Sequence, residues 1–341
     1  MKVARLYSYN DIRIEEHPIP KVGPNEVLIK TKACGICTGD VMKWYIEKKA
    51  PLVLGHEPSG EIIETGKNVS YFEVGDRVFL HHHAPCFLCN FCRRGDYVQC
   101  DTWKESKIIP GGISEYILVP EVNLENDTLK IPDHVSFEAA TLIEPTACVV
   151  KSLKRSKIKQ GDTIFVLGLG VMGMLHIMIA KIMGAGKIIG TDMVDYRLKK
   201  ATEVGADHVI DVRGKDLINE IRELTDGQMA QTVIVGPGSV EAMGLGLSCV
   251  SAGGTVVLFA PASPGDMITI DPNEIYFKDI SIVPSYSCGP TDTADALELI
   301  EGGVVDTDIL ITHRFLIDDV TKAYELTALA QESLKNIIAF D

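Results

Sequence analysis

The sequence predicts an α/β chain of two domains: a mainly β domain formed by residues 1–145 and 288–341, and a doubly wound parallel sheet over residues 146–287. Three observations lead there. The chain has 341 residues, more than one ordinary hydrophobic core encloses. Up to about residue 145 the apolar residues fall in short runs broken by Gly, Pro, Asn and Asp, the texture of strands and turns. From about residue 160 such runs alternate with helix-length segments, which calls for parallel strands joined by crossover helices.

The first domain's strands are read in EVLIKTKAC, GEIIETG and GDRVFLHHH. The alternating part runs as TIFVLG, a helix over 171–184, KIIGTD, a helix over 195–204, then HVIDV, TVIVG and GTVVLFA. Near residue 288 the alternation stops. A helix over 291–301, the strand ITHRF and a helix over 318–330 follow, and this last segment is expected to return to the first domain. The apolar stretch Thr163 to Ala180 is long enough to suggest a membrane span, but the glycines of GLGVMG split it into a buried strand and an apolar helix.

Hydrophobic residues make up 46% of the chain and charged residues 23%, so a packed globular protein is expected and global disorder is not. The formal net charge of -14 repels phosphate backbones and anionic lipid, which excludes nucleic acid and membrane surfaces as partners and leaves small molecules. The first residues, MKVARLYSYNDIRIEEHP, contain no signal-type apolar core, and a cytoplasmic location is expected. In that setting the nine cysteines point to metal ligands or core thiols before disulfides.

Their spacing is informative. Cys86, Cys89, Cys92 and Cys100 form Cys-x-x-Cys-x-x-Cys with a fourth cysteine after seven intervening residues. Four soft thiolates on one loop can enclose a tetrahedral zinc and leave it no open position, so a structural ion is expected. An iron–sulfur cluster is the chemical rival. Elsewhere in the first domain Cys37, in GICTGD, and the pair His56-Glu57, in GHE, offer a thiolate, an imidazole and a carboxylate. Mixed ligands with one vacancy are what a catalytic zinc requires, although this spacing taken alone is also met on ordinary surfaces.

Gly168, Leu169, Gly170, Val171, Met172 and Gly173 fit Gly-x-Gly-x-x-Gly between an apolar strand and a helix, the context in which the pattern signifies a Rossmann dinucleotide site. The glycines allow a tight turn, and the helix start offers free N–H groups to a pyrophosphate. Asp192 ends the next strand, twenty-two residues after Gly170, where a carboxylate can bond both hydroxyls of the adenosine ribose and repel the extra phosphate of NADP. NAD is therefore expected, although Asp192 could also serve only to cap the helix that follows. His176, inside the apolar helix, reads as a packing residue.

With the glycine motif, the four-cysteine loop and GHE on one chain, the sequence resembles the zinc-containing medium-chain dehydrogenase superfamily, in particular its sorbitol (iditol), polyol and threonine dehydrogenase branches, over essentially its whole length. The resemblance implies a GroES-like fold for the mainly β domain and two zinc ions per chain. Cys37 would bind the catalytic zinc while nearby Cys34 packs. His56 would be a second ligand, Glu57 a direct ligand or a neighbour of the metal, and Glu144, in the EP motif of LIEPTACVV, a further ligand of the polyol-like kind. It also places His83 near substrate and Arg197, in DYRL, near the adenosine end. His81 and His82 are left without a role, as a strand end with partly exposed rings.

The implied activity is NAD-linked interconversion of a secondary alcohol, of polyol, sugar-alcohol or sugar-acid type, and its ketone, with the cleft between the domains supplying orientation and excluding water. Two departures from the family pattern bear on it. A proton-relaying Ser or Thr is usual two residues after the zinc cysteine, where this chain has Gly39; Thr38 is the expected replacement, with water, the cofactor ribose or a histidine as alternatives. Sorbitol-type members carry Arg-Tyr where this chain has Ser285-Tyr286, so sorbitol itself is not singled out. Trp44, Tyr45, Tyr276 and Tyr286 either shape the pocket or pack. An L-threonine 3-dehydrogenase-like activity is the alternative within the class, and a non-enzymatic dehydrogenase-derived nucleotide-binding protein the alternative outside it. A zinc hydrolase leaves the glycine motif and Asp192 without purpose. Relatives suggest a homo-oligomer, a tetramer or a dimer.

Overall fold

Apolar runs of strand length, closed by glycine or proline, organise both parts of the chain. The computed structural model describes residues 1–341, which divide into two units: Met1–Ala147 with Cys288–Asp341, and Cys148–Ser287.

The second unit is a six-stranded sheet in the order His208–Asp211, Lys187–Asp192, Thr163–Leu167, Ala230–Val235, Val250–Leu258 and Ser281–Pro284, with every pairing parallel. This is the doubly wound 3-2-1-4-5-6 order of the Rossmann fold. Ile164, Phe165 and Val166 are fully buried, which explains why TIFVL shows no polar alternation: a central parallel strand has helices on both faces. The apolar stretch from Thr163 divides into this strand and the helix Val171–Ile182, and no helix is long and apolar enough to cross a membrane. That helix stops two residues before the expected 184 because Gly184 takes a left-handed φ of 92°. The helix expected over 318–330 begins instead at Val320, after a 3-10 turn at Ile317–Asp319, and ends at Leu329 before left-handed Ala330.

The first unit holds a seven-stranded sheet. Its order is Ile311–Leu316, Lys335–Ala339, Val27–Gly35, Glu57–Thr65, Arg77–Leu80 and Thr128–Lys130, with Tyr116–Val119 also paired to Val27–Gly35. A three-stranded sheet of Asp11–Glu16, Lys2–Ser8 and Leu52–Val53 lies beside it in the same unit. The segment after Cys288 re-enters this unit: Ile337 pairs with Gly35 and Ala339 with Ala33. Period-two placement sends the two ends of the Val27–Gly35 strand into different cores. Val27 and Ile29 pack with Ile62, Val78 and Ile117, whereas Cys34 packs with Leu54, Ile113 and Ile338. Cys34 is thus a core thiol, and burial pushes its ionisation far up.

His176 is buried as a packing residue within the second unit. Its Nδ1 donates to the Met172 carbonyl at 2.7 Å, its Nε2 accepts from the Ser152 hydroxyl at 2.6 Å, and its ring meets Phe259 edge to face at 4.8 Å. Both nitrogens are satisfied by the neutral ring, and burial pushes its pKa down from 6.5 to about 4. The unfolded chain therefore takes up a proton across that interval while the folded chain does not, so stability falls as pH drops through it. His176→Gln should flatten the dependence of unfolding free energy on pH between about 6.5 and 5, by roughly 1.4 kcal/mol per pH unit. Parallel slopes for the two proteins in denaturant titrations would contradict this.

Candidate functional site

Four cysteines are gathered by a short loop. Cys89 caps the helix Asn90–Arg93, which carries Cys92, and Cys100 precedes the helix Asp101–Glu105, which carries Trp103 into the same cluster. The Sγ atoms of Cys89 and Cys92 are 3.5 Å apart, those of Cys86 and Cys100 3.6 Å, and those of Cys86 and Cys92 4.0 Å. A zinc with four sulfurs at about 2.3 Å has tetrahedral edges of roughly 3.8 Å, so the thiols fit the ion. Backbone N–H groups of Leu88 and Cys89 pull the Cys86 thiol down to about 6, favouring the thiolate.

The second constellation lies where strands of the first unit meet. Cys37 follows the Val27–Gly35 strand and opens the 3-10 turn Thr38–Val41, its sulfur accepting from the Gly39 amide at 3.3 Å. His56 and Glu57 stand at the start of the Glu57–Thr65 strand, which pairs with Val27–Gly35 and so brings them to Cys37. The ligating atoms of Cys37, His56 and Glu57 lie within 4.8 Å of one another. Glu57 is fully buried and forms an ion pair with Lys335, leaving Oε1 without a hydrogen-bond partner. Burial raises the Glu57 carboxyl while Lys335 opposes it; Lys335 is itself held above its ordinary value because Glu57 outweighs its burial. Gly35 makes this pair possible, since a Cβ there would overlap the Glu57 carboxylate. A mixed thiolate, imidazole and carboxylate set with an orphaned buried oxygen fits a zinc ion.

Two members of this site escaped the sequence reading. Asp40, buried in the turn that Cys37 opens, puts Oδ2 at 3.4 Å from His56 Nδ1. Burial works against a charged His56, but the charges of Asp40 and Cys37 prevail and raise it well above its ordinary value. Asp40 was within reach, being three residues from Cys37 in GICTGD. Lys335 had no local signal, because only strand pairing brings it to Glu57.

The Glu144 carboxylate lies within 4.8 Å of ligating atoms of His81 and Cys288, and its charge also acts on His56, Glu57 and Lys335. His81 is fully buried, not the partly exposed ring expected at a strand end. His82 lies tilted between His56, at 4.9 Å between ring centres, and His83, at 4.1 Å. His83 rests on Trp103 at 4.4 Å, donates Nδ1–H to the Ser106 carbonyl at 2.7 Å, and is pushed down to about 4 by burial. Thr38 is exposed on its turn. Trp44 and Tyr45 pack edge to face at 5.7 Å within the first unit, and Tyr276 and Tyr286 are exposed residues of the second.

In the second unit, Gly168 turns the chain with φ of 85°, and Gly170 precedes the helix Val171–Ile182, whose first N–H groups have no side-chain cap. A Cβ at Gly173 would overlap the Gly168 carbonyl, so helix and turn approach this closely only with glycine there. Leu169, Val171 and Met172 complete the turn, with Leu169 and Val171 in the core. Asp192 accepts from the amides of Leu169 at 2.8 Å, Met193 at 2.8 Å and Val194 at 3.0 Å. The carboxylate therefore fastens the glycine turn and the link that leads into the helix Asp195–Glu203, and it accepts from no amide within that helix. Arg197 lies 3.8 Å from Asp192 and has a buried Nε with no hydrogen-bond partner. An uncapped helix start, a glycine turn and a carboxylate at the next strand end fit a dinucleotide.

Two family profiles match the chain: "Alcohol dehydrogenase GroES-like domain" over residues 23–133 and "Zinc-binding dehydrogenase" over residues 171–302. A sorbitol dehydrogenase of Bacillus subtilis is 31% identical over 95% of this chain and 93% of its own length. An L-threonine 3-dehydrogenase of Pyrococcus horikoshii is 34% identical over 91% of this chain and 90% of its own. Among solved structures, a 2R,3R-butanediol dehydrogenase from Bacillus subtilis superposes with a TM-score of 0.88 at 28% identity, covering 100% of this chain and 99% of the other. A zinc-binding dehydrogenase from Sinorhizobium meliloti bound to NADP superposes with a TM-score of 0.89 at 27% identity, covering 99% of each. With a GroES-like β unit, a Rossmann sheet and these relatives, the chain belongs to the zinc-dependent medium-chain dehydrogenase/reductase superfamily, in its polyol and threonine dehydrogenase branch.

Proposed function

We propose that the chain is a zinc-dependent, NAD-linked dehydrogenase that interconverts a secondary hydroxyl of a polyol-type substrate and the ketone. The observation that carries this reading is the convergence of Cys37, His56 and Glu57 on one point of a GroES-like unit, in a chain that also has the glycine turn with Asp192. When bound, zinc supplies Lewis acidity to the substrate oxygen and the nicotinamide accepts the hydride.

The chain's own residues prepare for both. Asp40 holds the His56 ring by Nδ1, and the same ring is bonded to the Cys37 side chain. Lys335 neutralises one side of Glu57 and leaves Oε1 as a free donor. Glu144, whose charge acts on His56 and Glu57, serves as a further carboxylate of the polyol-like kind at this site. Thr38, exposed beside Cys37, suits proton exchange with water where Gly39 offers no hydroxyl. His83, kept neutral with Nδ1 tied to Ser106, presents Nε2 as a contact for a substrate hydroxyl. The four-cysteine loop holds the structural zinc.

At the nucleotide turn, three amides fix the Asp192 carboxylate at the strand end, where it favours ribose hydroxyls over a phosphate and hence NAD. Arg197 serves the adenosine side of the same site. Oxidation of L-threonine is the second reading, favoured by His83 and by the threonine dehydrogenase relatives. Self-association is supported by exposed Met267, Tyr276 and Phe277 and by the Ser281–Pro284 strand, which ends its sheet with an open edge. Nine cysteines outside any disulfide suit a reducing, cytoplasmic setting.

Three measurements test this. Zinc-loaded protein given NAD should form NADH with at least one member of a panel of sugar alcohols, sugar acids, inositols, L-threonine and simple secondary alcohols; silence across the panel in both directions would leave only nucleotide binding. Asp40→Asn should lower zinc affinity or kcat/KM roughly 10–100-fold, and an unchanged value would remove Asp40 from the site. Asp192→Asn keeps an acceptor for the Leu169 amide but loses the charge, so the preference for NAD over NADP should narrow about tenfold or more, some 1.4 kcal/mol. An unaltered ratio of the two Kd values would show that the charge does not select the cofactor.

A further inference from the structure

Beside the Cys37 group, the first unit carries two imidazoles whose hydrogen bonding is unequal. His82 and His83 follow the Arg77–Leu80 strand and His81, and both are half-buried. The His82 ring lies 4.9 Å from that of His56, and 4.1 Å from that of His83 at an interplanar angle of 48°. The His56 side chain is itself 22% exposed, so the pair adjoins a part of the candidate metal group that is not sealed.

The protein settles one nitrogen of each ring, in opposite senses. Nδ1 of His83 is 2.7 Å from the Ser106 carbonyl, which can only accept, so the hydrogen sits on Nδ1 and Nε2 keeps a lone pair. Nδ1 of His82 is buried and has no hydrogen-bond partner. A charged ring would place an N–H there with nothing to accept it, and so would the neutral Nδ1–H tautomer. The tautomer with its hydrogen on Nε2 leaves only an idle lone pair inside, the lesser cost. Adjacent imidazoles thus carry opposite functions: Nε2–H of His82 donates, and Nε2 of His83 accepts. Packing alone does not explain a ring that leaves a buried nitrogen unsatisfied, since an apolar side chain would fill the same space without that cost.

A single group that satisfies both nitrogens has to accept and donate, as a hydroxyl does. A methylene group does neither. An ammonium only donates, so it suits His83 but meets the His82 N–H with another hydrogen. We propose that His82 is a specificity-determining residue, which with His83 binds a hydroxyl on the carbon next to the reacting one, so that the substrate is a vicinal diol. The proposal rests on the Cys37 group being the catalytic metal site, and it deepens that reading by selecting among substrates. Polyols are favoured over simple secondary alcohols, and also over L-threonine, whose neighbouring carbon bears an ammonium.

Zinc-loaded protein saturated with NADH cannot oxidise an alcohol, so calorimetry on it reads binding apart from turnover. Propane-1,2-diol, propan-2-ol and 1-aminopropan-2-ol, the last as its ammonium at neutral pH, differ only in the group beside the secondary hydroxyl. The diol should bind at least about tenfold more tightly than either of the others. His82→Phe keeps a ring but loses the donor, and should bring the diol to within about twofold of propan-2-ol. His82→Gln keeps an N–H donor and should retain most of the preference. Should His82→Phe fail to fold, His82→Met, which also lacks a donor, takes its place. Equal binding of the three ligands by the wild-type protein, or a preference that loss of the donor leaves unchanged, overturns the proposal and leaves the metal reading standing. A zinc content that Cys37→Ser does not lower, or a failure to bind NADH, overturns both.

Discussion

A carboxylate sealed from water survives as an anion only beside a positive charge, and Glu57 meets that condition through Lys335. The two residues lie on strands that flank Val27–Gly35 on opposite sides, and they meet because residue 35 has no side chain. Much of the candidate metal site follows from this pairing. The strand that carries Lys335 has to return to the first sheet, and the strand begun by Glu57 has to pair in the register that also delivers His56 to Cys37. A slip of one residue in either pairing would turn the charged group to the other face. The register is thus fixed from both faces, by Ile29 and Ile62 in one core and by Cys34 and Ile338 in the other.

Legibility from sequence followed distance along the chain. The cysteine loop was readable because its four thiols fall within a short stretch of backbone, and the glycine turn because strand, turn and helix are consecutive. Cys37 and the His56-Glu57 pair were readable as chemistry, and a single strand pairing unites them. Asp40 was overlooked because an acid in a turn commonly faces water. Lys335 was hidden, since nothing near position 335 announces a carboxylate acquired by sheet pairing. The triple histidine shows the opposite error. A run of three polar rings at a strand end suggests exposure, yet His81 is buried because Asp127 and Cys288, from distant segments, satisfy both of its nitrogens.

Asp192 connects two parts of the second unit. It accepts from the Leu169 amide in the glycine turn and from those of Met193 and Val194 just before the next helix, and one carboxylate has lone pairs enough for these three and a further donor. By accepting from Leu169 it fixes the glycine turn, so the candidate ribose contact also holds the loop of the candidate dinucleotide site. A loop ordered in advance loses less conformational entropy when the dinucleotide binds.

The late return of the Lys335–Ala339 strand has a consequence for biosynthesis. Domains generally fold in the order in which they leave the ribosome, and here the parallel sheet is finished before the strand bearing Lys335 has been made. Until that strand is added, Glu57 lacks its counter-charge and the edge of Val27–Gly35 that it pairs with is open. The Rossmann sheet of a nascent chain can therefore mature early, while completion of the candidate metal site at Cys37, His56 and Glu57 waits for a strand translated after that sheet.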